Sequence, residues 1–289
     1  MTQGDASMPG QAPAPDPQPA GLDSGSSLRG FLRFSLYLPA TLGLGLIQAA
    51  LLPMRLPITR WLPQFYHRMT CRIMGMEVAV LGERSLARPT LFICNHSSYL
   101  DIPVLGGVME GSFVAKTEVA GWPMFGVLAK LQRTVFVDRR RGTTHRQRDD
   151  LQKRLDAGDN LILFPEGTSS DGNRVLPFRS ALFGVAERKS QDAPLVVQPV
   201  SIAYVSLNDM PLGHGLRPLV AWYGDMTLGP HLWAFSRLGR VRVVVEFHPP
   251  ITIADFSSRK ELARHCHSAV EHGVARALTG RIGSNSLAP

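Results

Sequence analysis

The sequence is poor in cysteine, with three in 289 residues at Cys71, Cys94 and Cys266. Their odd number and wide spacing exclude a disulfide framework and fit a reducing compartment. There is no C-x-x-C pair to build a common zinc site. There is no G-x-S-x-G elbow, which removes the usual serine nucleophile of an α/β hydrolase. Internal repeats are absent. Residues 1–28 have almost no large apolar side chain and are rich in Pro, Gly, Ala, Ser and Gln, so they are expected to form a disordered tail. Charge is missing from Phe34 to Met54, "FSLYLPATLGLGLIQAALLPM", a run of 21 residues.

That run is long enough to cross a hydrocarbon core. Pro39, Pro53, Gly43 and Gly45 weaken it as a straight helix. Arg29 and Arg33 flank one end and Arg55 and Arg60 the other, so the positive-inside rule selects no orientation. Both a span and an interfacial hairpin with the following "ITRWLPQFYHRM", which carries Trp61, Phe65 and Tyr66, fit the pattern. A cleaved signal peptide does not, because the apolar run starts far in and no basic cluster precedes it at the terminus. The whole chain has a net charge of +8 and a mean hydropathy of +0.01. A basic yet apolar chain fits an anionic membrane surface better than nucleic acid alone.

Downstream, short apolar or β-branched runs ("TLFIC", "SFVAK", "TVFVD", "NLILF", "LVVQPVSIAY", "PLVAWYGD", "VRVVVEF") alternate with helix-like stretches ("SYLDIPVLGGVME", "WPMFGVLAKLQ", "THRQRDDLQKRLDAG"). Such alternation predicts an α/β fold with a mostly parallel sheet flanked by helices. Near the end, Ser258 and Glu261 are spaced as a capping box. They open a helix with an apolar stripe of Leu262, Cys266, Ala269, Val270, Gly273 and Ala277. The expected organisation is a tail (1–28), an apolar membrane-associating segment (29–70), an α/β domain (71–280) and a flexible C-terminus (281–289).

Polar residues of unlike chemistry sit where three of these strands stop. "FICNHSSYLD" places His96 and Asp101 five apart. In a continuous helix they would lie about 140° apart around the axis. They can meet only if His96 occupies the strand-to-helix turn and Asp101 folds back from the first helical turn. Ser97 and Ser98 are plausible caps, and Ser98 with Asp101 is an S-x-x-D pair that needs no catalysis. On these ten residues both readings stand. "LILFPEGTSSDG" ends a second strand with Glu166, Gly167 and Thr168, at the strand end where open α/β sheets bind ligands. "VFVDRRRG" places Arg139, Arg140 and Arg141 at a third, a set of guanidiniums suited to phosphate.

Taken together, "NHSSYLD", "VFVDR", "FPEGT" and "VVQPVSIAY" resemble the four ordered blocks of the glycerolipid acyltransferases, the lysophosphatidic acid acyltransferase family. "WYGDMTLGPHLW" is similar to the branch that includes lyso-ornithine lipid acyltransferases. The resemblance implies transfer of an acyl group from acyl carrier protein or acyl-coenzyme A to the hydroxyl of a membrane lysolipid at the cytoplasmic face. The expected acceptor is 1-acylglycerol-3-phosphate, with lyso-ornithine lipid as the alternative. It implies His96 as general base and Asp101 as its orienting partner. Lys116 and the Gly167 N–H become oxyanion donors. Arg139 faces the head group, and Glu166 and Thr168 position it. One departure concerns Ser169, where many relatives continue the third block with arginine; Arg174 and Arg179 are candidates to compensate.

No metal or other cofactor is expected. His265, Cys266 and His267 look like ligands, but consecutive residues of a helix point apart. Cys94 reads as a small buried hydrophobe, and His145 and Arg146 as part of a solvated helix. Two other functions compete: a basic nucleic-acid-binding module, which lacks a recognition motif, and a lipid esterase using His96 and Asp101.

Overall fold

The structure, a computed structural model, describes residues 25–54, 56–137, 144–187, 189–190 and 193–281. The expected N-terminal tail (apart from residues 25–28), the C-terminal segment beyond Arg281, and Arg139 to Arg141 lie outside the described residues.

The strands in chain order are β1 (Met76–Leu81), β2 (Thr90–Cys94), β3 (Ser112–Lys116), β4 (Val135–Val137), β5 (Leu161–Leu163), β6 (Lys189–Ser190), β7 (Ala193–Pro194), β8 (Val196–Leu207), β9 (Met210–Pro211), β10 (Val241–Phe247) and β11 (Ile251–Thr252). The main sheet runs β1-β10-β8-β2-β5-β3-β4, with β9 and β11 also paired to β8. Every neighbouring pair along that path is parallel except β10 with β8. β2 shows why the sequence folds this way. All five of its residues are buried, as a strand covered on both faces requires. Phe92 and Cys94 enter one core, and Leu91 and Ile93 enter the other.

The helices are α1 (Ser27–Leu51), α2 (Ile58–Met74), α3 (Asp101–Val108), α4 (Phe125–Leu131), α5 (Thr144–Asp156), α6 (Leu228–Arg237) and α7 (Arg259–Leu278). Three expectations change. β1 carries no expectation in the sequence reading, yet it pairs with β10 at the sheet edge. "PLVAWYGD" is not a strand; it starts in a 3₁₀ turn, His214–Leu219. Pro218 lies inside that turn, and the Trp222 N–H goes to the Ser97 carbonyl at 2.8 Å rather than to a ladder. The α7 cap is shifted by one residue. Ser258 accepts the Glu261 N–H, but the Glu261 carboxylate reaches Ser257 N at 2.9 Å. In α7, Cys266 turns into the core, His265 is exposed and His267 packs on Phe178.

α1 stays continuous through Pro39 because both of its ends are held by the domain. Arg33 donates to the carbonyls of Ser236, Leu238 and Gly239. Gln48 donates to Thr59 O and Leu131 O at 2.9 and 3.1 Å. The helix buries small and polar residues (Gly30, Tyr37, Thr41, Gln48). Its large apolar residues point outward, with Leu28, Phe31, Leu36, Leu42 and Leu46 all more than 60 % exposed. That is the reverse of an ordinary surface helix. α2 packs antiparallel against it and turns out Ile58, Trp61 and Phe65. It stops at Gly75, whose φ of 77° suits glycine; a Cβ there would run into the Arg33 guanidinium.

Candidate active site

β2 ends on Asn95, a buried amide that pairs with both backbone groups of Ile202 on β8, donating to its carbonyl at 2.9 Å and accepting its N–H at 2.8 Å. This fixes where the chain leaves the sheet. The loop it enters is held from three sides. Ser170 N donates to His96 O, Trp222 N donates to Ser97 O, and His96 N donates to Glu166 Oε1 at 2.8 Å.

α3 begins at Asp101, and its carboxylate folds back onto that loop. Oδ2 accepts from His96 Nδ1 at 2.8 Å, from Ser97 N at 2.7 Å and from Ser98 N at 3.0 Å. Oδ1 accepts from the Tyr204 hydroxyl at 2.9 Å. The capping and catalytic readings are therefore one arrangement, in which a single carboxylate closes the loop's orphan N–H groups and orients the imidazole. The Asp101 side chain is fully buried, while that of His96 is 22 % exposed. With Asp101 accepting at Nδ1, the proton sits there and Nε2 keeps its lone pair. The ring stacks on Phe164, centroids 4.2 Å apart, and lines a cavity of about 740 Å³.

The cavity is largely apolar. It reaches under the α1–α2 hairpin past Leu44, Leu62 and Leu128, and over β5 toward Leu163, Leu182 and Val185. Lys116, Gly167, Thr168, Ser169 and Arg179 also line it. The structure thus brings together His96, Asp101, Lys116, Gly167, Thr168 and Arg179. Arg174 is exposed and does not line the cavity.

Two expected roles change. Glu166 does not face the cavity: it is 2 % exposed, and its second oxygen accepts the Leu176 N–H at 3.0 Å. Burial pushes its carboxyl up to about 8, with the N–H groups of His96 and Leu176 pulling back. Both oxygens receive donors, so it braces the two loops instead of touching a head group. The Gly167 N–H is donated to Phe164 O at 3.1 Å, inside a turn that needs its φ of 72°. Of the two expected oxyanion donors, that leaves Lys116, which lines the cavity.

Tyr204 carries no role in the sequence reading, although it ends the fourth block. Its signal is period two: Val200, Ile202 and Tyr204 share the inward face of β8, and a buried phenol requires a partner. Tyr204→Phe removes a buried hydrogen bond to a charge, worth ~1.5–3 kcal/mol. We expect a ~10–100-fold lower kcat with KM nearly unchanged; an unaltered kcat would detach Tyr204 from the site. The thiols are no alternative nucleophiles. Burial pushes Cys71 and Cys266 up to about 12 and Cys94 well above the usual thiol range.

The acyltransferase family model matches residues 77–203. A lyso-ornithine lipid O-acyltransferase of Brucella abortus is 43% identical over 88% of this chain and 97% of its own length. One from Pseudomonas aeruginosa is 34% identical over 75% of this chain and 78% of its own length. A 1-acyl-sn-glycerol-3-phosphate acyltransferase of Neisseria gonorrhoeae is 29% identical over 65% and 68%. In three dimensions the fold matches the crystal structure of the 1-acyl-sn-glycerophosphate acyltransferase of Thermotoga maritima, with a TM-score of 0.61, 22% identity and coverage of 86% of this chain and 93% of that one.

Proposed function

The chain belongs to the acyltransferase family, and from that premise we propose that it is a lysolipid O-acyltransferase in which His96 and Asp101 carry the chemistry. The observation that carries this reading is a His–Asp pair opening onto an apolar cavity large enough for acyl chain. The acceptor hydroxyl gives its proton to His96 Nε2 as its oxygen attacks the thioester carbonyl carbon. Asp101 stabilises the imidazolium, and Lys116 faces the oxyanion. The C–S bond then breaks, and the leaving thiolate takes the proton back from His96. No acyl-enzyme forms. Purified protein incubated with labelled acyl thioester and lysolipid should give O-acylated lipid; release of free fatty acid alone would favour an esterase instead.

For the acceptor we favour lyso-ornithine lipid over 1-acylglycerol-3-phosphate. Relatives named for the former reach 43% identity over 88% of the chain, whereas those named for the latter reach 29% over 65% or 34% over only 47%. Ser169 lines the cavity at the position where the resemblance to the lysophosphatidic acid acyltransferases leads one to expect arginine, and a zwitterionic amino-acid head group needs less positive charge than a phosphate monoester. Ser169→Arg is expected to shift the rate ratio toward lysophosphatidate by ~1–3 kcal/mol, the scale of a charge-assisted hydrogen bond. An unchanged ratio in the parallel assay of both acceptors would place the choice elsewhere, with Arg179 the next position to vary. The role of Arg139 rests on the resemblance alone. Either acyl carrier protein or acyl-coenzyme A, both anionic, suits the basic surface as donor.

For the membrane we propose a monotopic seat on the cytoplasmic face. Arg33 and Gln48 lie about 22 Å apart along α1, and both bond to the catalytic domain, so α1 runs along the domain instead of leaving it. Its exposed leucines, with Trp61 and Phe65 of α2, form the inserted face. Leu46→Asn, Ile47→Asn and Trp61→Ser together should lower vesicle partitioning at least ~10²-fold, given ~1.5–3 kcal/mol per buried apolar side chain. Undiminished sedimentation with vesicles would move the membrane contact off this hairpin.

A further inference from the structure

The basic charge is not spread evenly. On the side of α2 opposite the catalytic cavity lies a second cleft of about 790 Å³ lined by Arg29, Arg33, Arg68, Arg72 and Arg240, with Glu77 as its only carboxylate. α2 is the wall between the two: Thr70 and Met74 line the cavity, and Arg68, Cys71 and Arg72 line the cleft.

Glu77 is already engaged by Arg240 and Arg242. Arg33 and Arg68 give their hydrogen bonds to backbone carbonyls, including Arg68 Nε to Gly107 O at 2.7 Å. Carbonyls satisfy donors but do not neutralise charge. Among the described residues the Arg72 side chain has no hydrogen bond or ion pair, and that of Arg29 has only a weak hydrogen bond to Arg237 O at 3.3 Å. Four guanidiniums therefore share one cleft without a carboxylate partner. Burial and the neighbouring Arg29 charge pull the Arg33 pKa down to about 10, the sign expected where positive charge is crowded.

Part of the rim of the cleft is apolar: Val78, Val80 and Val108 line it, with Val80 46% exposed. Nearby in sequence, Leu28 and Leu32 beside Arg29 and Phe65 one turn from Arg68 are 53–68% exposed. A free phosphate has no use for such a rim; a phosphate that carries acyl chains does. Along the hairpin the exposed face of α2 passes from Ile58, Trp61 and Phe65 to Arg68 and Arg72, so an apolar end meets a basic one.

We propose that this cleft binds the phosphate head group of an anionic membrane phospholipid, separate from the reacting lipids, and so anchors and orients the enzyme on the bilayer. The inference rests on the monotopic membrane seat proposed above. Arg29 and Arg72 grip the phosphate, since neither is committed to the fold, and Arg33 and Arg68 supply field from fixed positions.

The test is co-flotation of the full chain with phosphatidylcholine vesicles containing either no anionic lipid or one-fifth phosphatidylglycerol. The parent is expected to bind the anionic vesicles more tightly. The double variant Arg29→Gln/Arg72→Gln should lose roughly 30-fold in that binding, from about fivefold per guanidinium at an anionic surface, with neutral-vesicle binding unchanged. Arg29→Lys/Arg72→Lys should recover part of the loss, and an unshifted melting curve in both variants shows that the fold is kept. Equal binding of parent and Gln variant to anionic vesicles overturns the proposal. So does full displacement by ~10 mM inorganic phosphate at constant ionic strength, which would mark a free-anion site. A raised lysolipid KM for the Gln variant in detergent micelles also overturns it, by making the cleft part of the acceptor site. A parent that binds neither vesicle sinks the membrane seat itself, and a parent that binds both equally sinks only the head-group site.

Discussion

Replacing His96 with alanine is expected to reduce acyl transfer by at least ~10²–10⁴, the usual contribution of a positioned general base, while the protein stays folded. The ring is 22 % exposed and sits in a loop, so its loss opens no closed core cavity. Nor does it orphan the buried Asp101, whose Oδ2 keeps the N–H groups of Ser97 and Ser98 and whose Oδ1 keeps the Tyr204 hydroxyl. The loop remains tied through Asn95 and Glu166. Activity and melting temperature should therefore separate. Near-parental turnover in the folded variant would remove His96 from the chemistry; parallel loss of activity and fold would make it structural.

Asp101→Asn tests the same dyad through its charge. An asparagine can present its carbonyl oxygen in place of Oδ2, still accepting from His96 Nδ1 and from the two backbone N–H groups. Its amide would then face the Tyr204 hydroxyl, which can turn to accept. Geometry and tautomer survive, but the negative charge beside the forming imidazolium does not. With Asp101 fully buried beside the ring, we expect kcat to fall ~10²–10³-fold, on the order of 3–4 kcal/mol. KM for the acceptor should barely move, because Asp101 is fully buried behind His96 and touches no lipid. A change confined to KM, or a melting temperature lowered with kcat unchanged, would reduce Asp101 to a cap.

Much of this site is legible in the sequence, and the failures have physical causes. Residue types at strand ends are local facts. "FICNHSSYLD" is enough to show that His96 and Asp101 can meet only across a strand-to-helix turn, and there they do meet. What a side chain faces is not local. "FPEGT" reads as a ligand-facing turn, but Glu166 turns inward because two N–H groups from separate loops, His96 and Leu176, converge on it. Gly167 loses its donor to its own turn for the same reason: the N–H that a motif offers can be claimed by the backbone next to it. Tyr204 lies 103 residues from its acceptor, a pairing that only the sheet register creates. In the fold, "VRVVVEF" and "TLFIC" are found where their β-branched and apolar runs point. "PLVAWYGD" fails because Pro218 and the Trp222 bond to Ser97 take its backbone out of any ladder. The α1–α2 hairpin shows both sides of this. Its apolar length is plain, but the ties at Arg33 and Gln48 that support the proposed monotopic seat join residues far apart in the sequence.

The most direct test of the whole account is a competition assay with purified enzyme. A labelled acyl thioester is supplied with equimolar lyso-ornithine lipid and 1-acylglycerol-3-phosphate, and the O-acylated products are separated and counted. The account predicts thioester-dependent label in both lipids, more of it in ornithine lipid, and none on the protein. Label appearing only as free fatty acid, or as a stable acyl-protein without lipid product, would contradict direct transfer driven by His96 and Asp101.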